Sequence, residues 1–212
     1  MTQTFSDRLR QENARTWQAA THHRFVDELL AGRIAAPVMA RYLVQDHRFL
    51  DAFLTLLGAA IASADRFAAR LRFGQFAGMV SGAENDYFLR AFAALGVTEE
   101  ARAATPDSAP TTGFQAIMRE AAATRSYPAV LAVLNVAEGL YLDWALRADG
   151  LPENFVHAEW ITLHDNPVFR DFVSFLRAEL DRVGPGAEAQ VRDFFARAVG
   201  LELAFFDDAY AG

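Results

Sequence analysis

The chain has 212 residues, with 27 acidic against 20 basic side chains, a formal net charge of −7 and a pI near 5.2. That acidic balance, without clustered cations, argues against nucleic acid or a membrane surface as a partner. All 20 basic residues are Arg and there is no Cys, which excludes a lysine Schiff base, a pyridoxal phosphate linkage, a thiolate metal site and a cysteine nucleophile.

The length fits one domain, residues 1–212, large enough to bury roughly 70% of its unfolded surface around an enclosed pocket. The opening stretch MTQTFSDRLRQENARTW lacks the apolar core of a signal peptide, and no apolar run reaches about 18 residues. A soluble cytoplasmic protein is the expectation. From Phe5 to Leu30 apolar residues recur at helical spacing, with Ser6 placed to cap and Gly32 to stop one helix. Pro37 suits the first turn of a second helix, running to about Ala62. Asp65 is placed to cap a third, reaching Leu95 and ended by Gly96, with Gly74 and Gly82 as points where it could kink. Residues 98–113, holding Pro106 and Pro110, read as a connecting loop. Further helices are expected at 114–124, 128–148, 153–163, 167–183 and 187–209, separated by Pro128, Gly150-Leu151-Pro152, Pro167 and Gly184-Pro185-Gly186. No strand-type alternation and no internal repeat is present, so the fold class is all-α, a single-domain helical bundle.

The candidate functional residues are polar groups that interrupt apolar helix faces. Glu138 breaks a stretch from Ser126 to Ala137 without ionisable groups, and shares its face with Leu134, Tyr141 and Leu142. A carboxylate there either reaches a rim and ties down a helix end or is a functional acid. Asp46 falls on the stripe of Tyr42 and Phe49, where pairing with an Arg is the structural alternative. Glu202 stands among Leu201, Phe205 and Phe206, where a solvated edge is the alternative. Glu84, beside Asn85 and Asp86, reads as an ordinary polar face. None of His22, His23, His47, His157 and His164 follows a Glu by three, so the Glu-x-x-His pattern of di-iron bundles is missing and no metal or other cofactor is expected. Neither a nucleophile elbow nor a phosphate loop is present. What remains is an aromatic pocket with carboxylates and a phenol.

These residues carry a resemblance. His23-Arg24-Phe25, Leu29, Gly32 and Tyr42-Leu43-Val44-Gln45-Asp46 resemble the H-P-F…L…G…Y-L-x-Q-D signature of the TenA/thiaminase II family. Pro110-Thr111-Thr112 with Phe114 is similar to its P-T-x-x-Y segment, Asn166-Pro167-Val168-Phe169 to its H-P-x-Y, and Glu202 to Ala209 to its E-x-x-F-W-D-x-A. Ala137 stands where the better-known branch has its Cys, while Glu138, in V-A-E-G-L-Y, resembles the A-I-E-x-x-Y of the branch in which a Glu serves instead. Phe49, Phe114 and Phe169 stand at family tyrosine positions.

The resemblance implies a heme-oxygenase-like fold, a homotetramer or homodimer, and hydrolysis of an aminopyrimidine in thiamin salvage. The substrate would be 4-amino-5-aminomethyl-2-methylpyrimidine, its N-formyl form, or thiamin. It also implies a pocket in which Asp46 holds the exocyclic amine and a ring nitrogen, with Tyr42 beside it. Phe49, Phe114, Phe169 and Phe205 would wall the ring, and Glu138 and Glu202 would act as acid and base with Tyr141 as a donor. The rivals are an oxidase or synthase on the same fold and a regulatory or pyrimidine-binding protein.

Overall fold

The computed structural model describes residues 3–211. Among them all regular structure is helical: α1 (Phe5–Glu12), α2 (Ala14–Thr21), α3 (Arg24–Leu30), α4 (Ala36–Ser63), α5 (Phe67–Met79), α6 (Asn85–Ala94), α7 (Glu99–Ala104), α8 (Ala109–Ala123), α9 (Tyr127–Ala145), α10 (Phe155–His164), α11 (Pro167–Val183) and α12 (Glu188–Asp208). A π-helical segment, Val80–Glu84, joins α5 to α6, and a 3₁₀ turn, Gly184–Ala187, joins α11 to α12.

The axis of the molecule is α9, capped by Ser126, whose side chain accepts from the Ala129 amide, with a proline in its first turn. Its sequence is apolar on every side, and Leu131, Val133, Leu134 and Val136 are all buried, as expected of a helix surrounded by others. It packs against α11 and α12, while α4 lies along α8 and α5. Gly32 and Gly96, with φ of +65° and +70°, end α3 and α6 in the left-handed conformation that glycine adopts without steric cost. The 3₁₀ turn lies hard against α1: a Cβ on Gly184 would collide with the Phe5 ring.

Several boundaries depart from the sequence reading. The stretch expected as one helix from Phe5 to Leu30 is three, broken at Asn13 and His22-His23. The cap of α1 is Thr4, not Ser6, and the His23 side chain caps α3 by accepting from the Phe25 amide. Asp65 does not cap α5, whose N-cap is Arg66; its carboxylate instead accepts two bonds from Arg182, at 2.7 and 2.8 Å. Residues 98–113 are not a plain loop, because Thr98 caps α7 and Ser108 caps α8, with Pro110 in the first turn. Gly74 lies inside regular α5, whereas Gly82 falls within the π segment.

Candidate active site

One cavity, enclosing about 470 Å³ of space that is partly open to solvent, gathers side chains from six segments far apart in sequence. Helix α4 contributes Asp46, Phe49, Leu50 and Phe53, the π segment Glu84, and α8 Phe114 and Met118. Helix α9 adds Ala137, Glu138 and Tyr141, α10 adds Trp160 and His164, and α12 adds Glu202. The wall holds four carboxyl groups, one phenol and one imidazole against six large apolar side chains, and it has no Arg.

The residues flanking Asp46 explain how this wall is held. Gln45 donates to the Pro106 carbonyl at 2.9 Å and accepts from the Ser108 amide at 3.0 Å and from Thr111 Oγ1 at 2.7 Å. It thereby fixes the start of α8, which carries Phe114. On the other side His47 Nε2 lies 3.1 Å from Asn85 Oδ1, tying α4 to the residue that follows Glu84. The segment bearing Glu84 is π-helical, and an inserted residue of this kind turns the following side chains relative to a regular helix and recurs at functional sites.

Asp46, Glu138 and Glu202 are buried, at 4%, 8% and 2% exposure, and among the described residues none makes an ion pair with a basic side chain. Burial, which disfavours the charged form, pushes all three well above the ordinary carboxylate range. Mutual repulsion adds to it: Glu84 raises both Asp46 and Glu138, while Asp46 and Glu138 raise Glu202. Glu84 itself is pushed up to about 7 by burial. Asp46 Oδ2 is buried without a hydrogen-bond partner, as is the indole nitrogen of Trp160. A buried unpaired acceptor costs about 1–3 kcal/mol, so Asp46 is aimed at something that completes it. Burial likewise drops His164 to about 4, which leaves its imidazole neutral, with Nδ1 at 2.8 Å from the Trp160 carbonyl.

The sequence-predicted residues divide into two groups. Asp46, Phe49, Phe114, Glu138, Tyr141 and Glu202 share this cavity. Tyr42, Phe205 and Phe169 do not line it. Tyr42 stands one turn before Asp46 and behind the wall, its hydroxyl 2.6 Å from that of Tyr141. Phe205 backs the wall, its ring centroid 5.3 Å from Phe49 and 6.1 Å from Phe114. Phe169 opens onto an adjacent side chamber with Phe76, Met79 and Val80, which shares Glu84 and His164 with the main cavity. Glu84, expected as an ordinary polar face, is therefore a cavity residue. The sequence held the signal: Glu84 follows Val80 by four and precedes Tyr87 and Phe88 by three and four, the same placement that marks Asp46. Among the described residues no three His, Cys, Asp or Glu side chains group closely enough to hold a metal ion.

A model of the TENA/THI-4/PQQC family matches residues 10–212. A comparison with curated proteins finds no match. Among solved structures the chain is similar to a TenA homologue from Pyrococcus horikoshii OT3, with a TM-score of 0.88 and 20% identity over 98% of this chain and 99% of that one. It is also similar to a protein from Sulfolobus solfataricus P2 described as a TenA-like thiaminase, with a TM-score of 0.81 and 15% identity over 98% and 96%. A domain with a heme oxygenase-like fold from Shewanella denitrificans OS217 aligns with a TM-score of 0.70 and 19% identity over 96% and 91%. The fold is thus a heme-oxygenase-like helical bundle.

Proposed function

The chain belongs to the TENA/THI-4/PQQC family, and from that premise we propose that it is a hydrolase of aminopyrimidines in thiamin salvage. The substrate is 4-amino-5-aminomethyl-2-methylpyrimidine or its N-formyl derivative, with thiamin the third option. The observation that carries this reading is the orphaned carboxylate oxygen of Asp46 inside a cavity that has aromatic walls, further carboxyl groups and no Arg. A 4-aminopyrimidine is flat, apolar on its faces, and presents an amine beside a ring nitrogen. An aspartate meets both atoms at once and fixes the orientation of the ring. Phe49 and Phe114 supply faces for stacking, and the absence of hydroxyls at both positions makes that contact apolar.

In the aminomethyl reaction the C–N bond to the exocyclic methylene breaks and a C–O bond to water forms. The amine has to be protonated to depart as ammonia, so it leaves from its ammonium form, and the attacking water gives up one proton. Glu138 and Glu202 stand on two helices of the same cavity and serve as the proton-transfer pair, and carboxyl groups raised by burial are suited to holding a proton and passing it on. Tyr141, oriented by Tyr42, is a donor to developing charge. Ala137 leaves the nucleophile position of the Cys branch without a reactive atom, so Glu138 follows the pattern of the Glu branch. The oxidase or synthase alternative calls for a pocket rich in His and Arg, and this cavity has one His and no Arg. No described helix is long and apolar enough to cross a membrane; a cytoplasmic location and assembly as a homotetramer or homodimer complete the proposal.

The test is incubation of the purified protein with the aminomethyl pyrimidine, its N-formyl form and thiamin in separate reactions. Ammonia, formate and the pyrimidine product are followed. Release of ammonia or formate well above a protein-free control is expected. Stable substrate in all three reactions overturns the assignment.

A further inference from the structure

Glu84 has no part in the scheme above, yet it projects into the main cavity and the side chamber alike. Among the described residues no hydrogen bond or ion pair engages its carboxyl group, and no Arg lines either chamber. His47, through Asn85, holds this end of the π segment against α4. The groups that face it from the other elements are Asp46 on α4, Glu138 and Tyr141 on α9, and His164 on α10, whose imidazole is neutral. None of these is a cation. A carboxyl group kept at a cavity wall among other carboxyl groups, without any donor of its own, is completed by a positive charge arriving with the ligand.

We propose that Glu84 is the specificity-determining residue that binds the ammonium group of an aminomethyl pyrimidine, so that the site prefers the free amine over neutral 5-substituents such as N-formyl or hydroxymethyl. The inference rests on the proposed aminopyrimidine substrate and adds which member of that class the cavity is built for. Its geometry follows from the ring. Asp46 meets the 4-amino group and the adjacent ring nitrogen, on the edge away from C5, so the 5-aminomethyl group, on the other side of the 4-amino group, is turned away from Asp46 toward another part of the cavity wall. Glu84, Glu138 and Glu202 are the other carboxyl groups of that wall, and Glu84 is the one that the proton-transfer scheme leaves free to hold a charge. Glu138 lines the same cavity, so a 5-substituent held by Glu84 stays in the chamber where the proton transfers are proposed.

The experiment compares affinities of two pyrimidines that differ in one charge, 4-amino-5-aminomethyl-2-methylpyrimidine and its 5-hydroxymethyl counterpart, for the wild type, Glu84→Gln and Glu84→Asp. A hydrogen bond to a charged group corresponds to a loss of about 10–100-fold when it is removed. Glu84→Gln is expected to weaken the aminomethyl compound by that factor and the hydroxymethyl compound by less than about threefold, on the same scale, with Glu84→Asp recovering part of the loss. Retained hydroxymethyl binding shows that the variant is folded. Equal weakening of both ligands, or no weakening of either, overturns the role of Glu84. Failure of both ligands to bind the wild type overturns the aminopyrimidine reading itself, and a wild type that binds the neutral compound more tightly overturns the preference for the cation.

Discussion

Glu138 and Asp46 face the same cavity, but the proposed chemistry asks different things of them. Glu138 has to move a proton, which a Gln of the same size cannot do, so Glu138→Gln is expected to lower kcat by at least about 10²-fold while leaving pyrimidine binding nearly intact. Asp46 holds the ring in ground state and transition state alike, so Asp46→Asn is expected to raise KM as well as lower kcat/KM. Steady-state kinetics on the two variants separates these outcomes. A Glu138→Gln enzyme retaining more than about a tenth of wild-type kcat would make Glu138 a structural carboxylate and leave Glu202 with both proton transfers. At this scale the sequence is most legible where a single charge interrupts an apolar stripe, as at Asp46, Glu138 and Glu202. It is least legible at Glu84, whose polar neighbours Asn85 and Asp86 hide the fact that Val80, Tyr87 and Phe88 share its face. Phe169 and Phe205, which the family resemblance put at the ring, stand beside and behind the cavity instead, because a matched motif shows which residue stands at a position but not which chamber its ring borders.

Helix type is plain in the sequence here, and helix ends are not. The divisions at Asn13 and His22 escape a reading by periodicity because the apolar spacing runs on through them, and what marks the third helix is a histidine side chain acting as a cap. The π segment is equally silent, since one extra residue in a turn changes direction without changing composition. Tertiary anchors set such ends, and one can be tested directly. Glu179, buried on α11, accepts from the Tyr127 hydroxyl at 2.8 Å and from Arg182 Nε at 2.9 Å, and Arg182 reaches on to Asp65. These contacts tie the start of α9 to the end of α11 and to the α4–α5 connection. Burial alone would raise the pKa of Glu179, but the bonds from Arg182 and Tyr127 outweigh it and hold the carboxyl group below its ordinary value. Such a group stabilises the fold above its unfolded value near 4.5 and loses that contribution as pH falls. Glu179→Gln is therefore expected to cost about 2–3 kcal/mol at pH 7, a fall in Tm of roughly 5–10 °C, with the difference from wild type shrinking below pH 4.5. Thermal melts across pH decide it, and an unchanged Tm at pH 7 would show the cluster to be dispensable.

For the whole molecule the two populations of carboxyl groups act in opposite directions. The formal charge of −7 counts every acid as ionised, whereas the acids of the cavity wall are raised by burial and hold protons that a surface acid would have released. With the cavity empty, the folded state retains these protons above pH 4.5 while the unfolded chain gives them up. Stability should therefore fall as pH rises from about 4.5 to about 7, the window that Glu84 defines. A cationic ligand reverses the balance. It favours the ionised carboxylates, so binding must expel protons into the buffer. The proposed aminomethyl pyrimidine arrives already protonated, so its affinity should rise with pH across the same window. Calorimetric titration at pH 6 in two buffers of different ionisation enthalpy measures this directly, because the apparent binding heat changes in proportion to the protons released. A net release on binding the aminomethyl compound, with less for the hydroxymethyl compound and less in Glu84→Gln, is the expected result. Identical heats in both buffers would mean that the cavity acids are ionised before the ligand arrives, and the case for a site built to receive a positive charge would fall with them.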